Sequence, residues 1–121
     1  MPHIDIRFKP SVRPELLLDA APQMAAIVGA HFAENPEYVS VEVVPQTRWT
    51  RNRKDVDVEV NASPDLMGVR AKAAKALTVA LADFIANYLR GNGTDCEVSA
   101  WVRLFSEGVY EYRQTKTGLP L

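Results

Sequence analysis

Hydrophobic and polar residues alternate with a period of two in several stretches of this chain and follow a helical period in two others. In residues 3–8, Ile4, Ile6 and Phe8 share one face and His3, Asp5 and Arg7 the other, which predicts a half-buried strand. From Tyr38 to Val44, Val39, Val41 and Val43 alternate with Tyr38, Ser40 and Glu42. Between Asp55 and Ala62 the alternation is cleanest: Val56, Val58 and Val60 against Asp55, Asp57, Glu59 and Asn61. A last strand is expected over residues 96–105, with Val98, Ala100, Val102 and Leu104 facing away from Ser99, Trp101 and Arg103. Residues 109–113 suggest a further short strand, and the chain from about 106 reads as a tail.

The first helical stretch starts near Arg13-Pro14, where a proline's missing N–H would have no partner anyway. Leu17, Ala21, Met24, Val28 and Phe32 form its apolar stripe, widened by Ala20 and Ile27. Pro22 interrupts the stripe. An interior proline costs about 3 kcal/mol, so a kink near residues 18–22 is expected, or a helix that begins there. The second helix is expected from Ser63-Pro64-Asp65 to about Arg90, with Leu66, Val69, Ala73, Leu77, Leu81, Phe84 and Tyr88 as its stripe and Gly91 as its stop.

The order is strand, helix, strand, repeated once. Two βαβ units with right-handed crossovers build one four-stranded mixed sheet with both helices on a single face, an α+β fold. At 121 residues the chain is one domain. Helices on one face leave the other free for water or for further subunits, and an oligomer supplies burial that a chain of this size lacks.

Composition narrows the partners. A net charge of −1 gives no global electrostatic attraction to nucleic acid or to an anionic membrane. The local exception is Arg48, Arg51, Arg53 and Lys54, either a solvated loop or an anion-attracting rim. No apolar run reaches membrane-spanning length and no signal-peptide pattern opens the chain, so a cytoplasmic location is expected. Two histidines and one cysteine without close spacing give no metal signature. There is no phosphate-cradling glycine loop and no nucleophile elbow. His3 and His31 read as ordinary hydrogen-bonding side chains, and Cys96 as a small apolar residue rather than a reactive thiol.

Pro2 is the candidate for chemistry. With Met1 retained its nitrogen is an amide and no base; with Met1 removed it is a secondary amine. An α-amino group titrates near roughly 8, so burial or a nearby cation brings such an amine close to neutrality as a general base. The structural alternative is that Pro2 starts a strand where a missing N–H costs nothing.

A chain of this length with two βαβ units and the beginning Met1-Pro2-His3 resembles the tautomerase superfamily. The opening is similar to 5-carboxymethyl-2-hydroxymuconate isomerase, and residues 36–45 resemble the second strand of the macrophage migration inhibitory factor family. The resemblance implies a cofactor-independent isomerase acting on a small keto–enol carboxylate, assembled as a homotrimer whose sheets surround an axis. It implies Pro2 as the catalytic base and Tyr38 in the pocket. Asn61 would lie near a backbone donor to substrate, and Trp101, or Ser99 beside it, would come from a neighbouring subunit. Two departures weigh against this chemistry. Glu34 stands where migration inhibitory factors carry a lysine, and Val39 and Ser40 where the muconate isomerases carry an arginine. A substrate carboxylate then needs another cation, for which Arg48 and Arg51 are candidates and Arg103 the runner-up. The alternative is a catalytically inactive tautomerase-like oligomer that binds or builds.

Overall fold

The computed structural model describes residues 2–46 and 54–105. Its elements are β1 (His3–Phe8), α1 (Pro14–Phe32), β2 (Ser40–Pro45), β3 (Val56–Ala62), α2 (Val69–Gly91) and β4 (Val98–Leu104). They form one four-stranded sheet in the order β2-β1-β3-β4. β1 and β2 run parallel, joined through α1; β3 and β4 run parallel, joined through α2. The two units meet along the antiparallel pair β1–β3, with Ile4 opposite Val60 and Ile6 opposite Val58.

Both helices pack on the sheet face that carries the alternating valines and isoleucines, and on each other. Ile4, Ile6, Val58 and Val60 are sealed there beneath Leu17, Met24 and Val28 of α1 and Leu77, Leu81 and Ile85 of α2. Fully burying such side chains stabilises the fold by about 1.5–3 kcal/mol each, which is why the period-two and helical patterns dictate this arrangement.

The first helix begins at Pro14, as the pattern predicts, and runs through Pro22 as one element; three other expectations are corrected. Pro22 is exposed, so the carbonyl that loses its partner there is on the side open to water. Tyr38 belongs to a single 3-10 turn, Pro36–Tyr38, and β2 begins two residues later. Proline at the start of that turn and Asn35 accepting from the Glu37 N–H at 3.0 Å outcompete the extended pattern. The second helix starts at Val69, well after Ser63. Gly68, at φ 71°, precedes it, and the Asp65 carboxylate, not the Ser63 hydroxyl, accepts from the N–H groups of Val69 and Arg70. Leu66 is therefore fully exposed rather than part of the helical stripe, whose buried members include Ile85 and Leu89.

The open face of the sheet is not simply wet. Asp57 and Glu59 on β3 are as buried as the core. Ser99 and Trp101 of β4 donate to Asp57 Oδ1 at 2.6 and 2.7 Å, and Arg7 of β1 donates to Glu59 Oε2 at 2.7 Å. Neighbouring strands thus cover the polar side of the central strand with a network of hydrogen bonds and ion pairs.

Candidate active site at the start of β1

The sheet directions bring the start of β1, the start of β2 and the end of β3 to one edge of the domain. His3 lies opposite both Ser40 and Asn61. Pro2 is buried, and its carbonyl accepts the Ser40 N–H at 3.2 Å. Continuing the β1–β3 register by one residue brings Pro2 opposite Ala62, after which the chain turns into the Ser63–Gly68 connection. That connection, with Arg70, lines a cleft of about 500 Å³ formed by Ser63, Pro64, Asp65, Leu66 and Arg70.

Asn61 sits half-buried in the last polar position of β3, at the Pro2 end. Tyr38 is about half exposed, on the 3-10 turn that precedes the start of β2. Trp101 lies opposite Glu59, further along the sheet, with its indole N–H on Asp57. Within one chain the β4 residue nearest this edge on the open face is Arg103, opposite Asn61, with a guanidinium nitrogen 3.5 Å from Glu59 Oε1. Arg48 and Arg51, with Met1 and the whole tail, lie outside the described residues.

One cation at this end escaped the sequence reading. Arg70, in the first turn of α2, has its guanidinium 3.3 Å from Glu34 Oε2, donates to the Ser63 carbonyl at 2.7 Å and lies over the Phe32 ring at 5.6 Å. Both side chains of the pair are largely buried. A cation at the positive end of a helix is electrostatically misplaced, but the sequence carried no such signal, because a helix starting at Ser63 puts Arg70 beyond the first turn.

No protein-family model matches the sequence, and no curated protein sequence matches it. Solved structures do. A macrophage migration inhibitory factor-like protein from Entamoeba histolytica superposes over 94% of this chain and 96% of its own, with a TM-score of 0.58 at 14% identity. A domain of unknown function from Sebaldella termitidis covers 93% of this chain and 95% of its own, with a TM-score of 0.58 at 21% identity. A fused 4-OT described as an asymmetric trimer covers 91% of each chain, with a TM-score of 0.63 at 7% identity. The chain has the tautomerase-superfamily fold.

In this tautomerase fold, identities so low carry the architecture and leave the chemistry to be argued from the residues. What the residues offer is a buried residue at the head of a central strand, Asn61 near the end of β3, Tyr38 on the turn before β2, and a cleft lined by Asp65 and by Arg70, which also pairs with Glu34.

Proposed function

We propose that the chain is a cofactor-independent keto–enol tautomerase whose general base is the amino group of Pro2, exposed by removal of Met1. The observation that carries this reading is the placement of Pro2: buried, at the head of a central strand of a tautomerase fold, one residue before the His3–Asn61 pair. A secondary amine there is unprotonated for a useful fraction of molecules at neutral pH. It takes the proton of an enol hydroxyl, the electrons shift to make the carbonyl, and the same proton returns to carbon. Cations near the pocket stabilise the enolate charge during the transfer; Arg48 and Arg103 are the proposed holders of a substrate carboxylate. The fused 4-OT structures described as trimers support a homotrimer, in which a neighbouring β4 brings Trp101 to the pocket of the next chain.

The test is intact mass on the processed protein followed by a phenylpyruvate keto–enol assay. Loss of one methionine with measurable tautomerisation is expected. Pro2→Ala should lower turnover on the order of a hundredfold or more, the usual worth of a positioned base; full activity in that variant would refute the mechanism. A second reading, a binding or structural oligomer without this chemistry, is favoured by Glu34, which engages Arg70 where migration inhibitory factors carry a free lysine. A retained methionine and no turnover would select it.

A further inference from the structure

The polar face of the sheet sets like charges opposite one another on neighbouring strands. Across β2, β1 and β3 three carboxylates stand in one row, because Glu42 and Glu59 are the register partners of Asp5. Like charges directly opposite on neighbouring strands are destabilising. Glu59 is compensated by Arg7 at 2.7 Å and Arg103 at 3.5 Å. Asp5 and Glu42 stand directly opposite each other, and the cation nearest Asp5, Arg7 at 3.7 Å, is shared with Glu59.

The His3 ring sits beside the opposed Asp5 and Glu42. Its Nε2 is 2.8 Å from Asp5 Oδ1 and 3.7 Å from Glu42 Oε2, and donor atoms of all three residues fall within 4.8 Å of one another. Its Nδ1 is 2.6 Å from Ser40 Oγ. In the tautomer whose Nδ1–H donates to the Ser40 hydroxyl, the Nε2 lone pair faces both carboxylates and is free to take a cation. In the other tautomer Nε2–H donates to Asp5, a hydrogen bond that a bound cation would replace.

We propose that His3, Asp5 and Glu42 bind a divalent transition-metal ion, with Ser40 orienting the imidazole. Donors about 2.0–2.2 Å from a tetrahedral zinc ion stand roughly 3.3 Å apart, and the two separations from Nε2 bracket that value. One imidazole with two carboxylates suits zinc, manganese or iron better than magnesium or calcium, which favour oxygen alone. Three protein ligands leave a tetrahedral ion one position for water or an exogenous anion. A dipositive ion also offsets the repulsion between the opposed Asp5 and Glu42. The three ligands come from one chain, so the site is complete without a second subunit. Sequence spacing could not reveal it, because Glu42 joins the His3–Asp5 pair only through the β1–β2 register.

The test is calorimetric titration of the tag-free full chain with Zn²⁺ at neutral pH. One ion per chain is expected, with micromolar or tighter affinity. His3→Ala and Glu42→Gln should each weaken it by about tenfold or more, and His31→Ala should leave it unchanged. Glu42 is largely exposed on an edge strand, so its variant keeps the fold even where His3→Ala does not. In ¹⁵N spectra zinc should shift the Nε2 resonance of His3 and leave Nδ1 bearing its proton. Absence of zinc binding in the wild type would overturn the proposal and leave a proton alone bridging the cluster. Undiminished binding in Glu42→Gln would overturn it as well.

Discussion

Gly29→Ala is a substitution whose sign is decided by one close contact. Gly29 lies inside α1 and is buried. In a helix interior, alanine is ordinarily favoured over glycine by about 0.5–1 kcal/mol. Here the added Cβ would lie 2.6 Å from the Glu34 carbonyl oxygen and 3.2 and 3.3 Å from Cγ and Cδ of Pro36. The oxygen is not the loose end of a side chain. It belongs to a turn tied to Gly29 itself, whose carbonyl accepts both the Ala33 and Glu34 N–H groups, the latter at 2.9 Å. Making room means displacing that turn, and overpacking of this kind costs about 1–3 kcal/mol. The clash outweighs the propensity gain, leaving a net loss of about 1–2 kcal/mol. Equilibrium urea unfolding should show a lower midpoint at unchanged slope. Gly91→Ala is the control: nothing lies within 4 Å of a Cβ at this last residue of α2, so it should be neutral or stabilising. If Gly29→Ala matched or exceeded the wild type, the turn at residues 33–36 would be yielding freely and the reasoning would fail.

The other predictions concern the polar groups. Glu59→Gln should cost about 2 kcal/mol in chemical denaturation, below the roughly 3–5 of a fully buried pair, because Arg7 and Arg103 keep some access to water; an unchanged midpoint would remove the network from the stability argument. The backbone N–H of Arg70, and then that of Val69, holds the Asp65 carboxyl below its ordinary value of 3.8. A lowered folded value means that its contribution is full above the unfolded value and is lost as pH falls through the folded one. Asp65→Ala should therefore lower the melting temperature at neutral pH, and its difference from the wild type should close in strong acid. Partial burial, then the charges of Asp55 and Asp95, pushes the Cys96 thiol up, so a disulfide reagent should label it more slowly than a free thiol at neutral pH and at the free-thiol rate after unfolding.

The parts of the fold legible in the sequence are those fixed by burial periodicity. Ile4, Ile6, Val56, Val58 and Val60 mark strands because one face of each must leave water, and Leu77 and Leu81 mark a helix for the same reason. The element boundaries were less legible, because they are set by single hydrogen bonds that compete with the pattern. Asn35 bonding to Glu37 turns Tyr38 out of β2, and Asp65, reaching past Gly68, starts α2 later than a serine–proline signal implies. Burial of Asp57 and Glu59 was illegible for another reason. Their partners are Ser99, Trp101 and Arg7, one strand to either side, and sequence distance says nothing about which strands become neighbours.

The same limit governs the candidate site, and Glu34 shows how. Taken along the chain, an acid in place of a lysine reads as the loss of a cation and the gain of a charge that repels an acidic substrate. In the folded chain Arg70, 36 residues away, stands 3.3 Å from that acid. The pair is close to neutral, so the position neither attracts a carboxylate as a lysine would nor repels it as a lone glutamate would. The electrostatics of this end of the sheet therefore turn on what Arg70 does when Glu34 changes. Glu34→Gln releases a largely buried guanidinium from its acid and leaves its bond to the Ser63 carbonyl, so that Arg70 balances the Asp65 carboxylate of the cleft and a net negative charge beside it is removed. If Pro2 works on a carboxylate substrate in this cleft, that variant should lower KM with little change in kcat, since the lost repulsion acts on substrate and transition state alike. A rise in KM would mean that Arg70 needs Glu34 to hold its place, and that the pair shapes the cleft rather than tuning its charge.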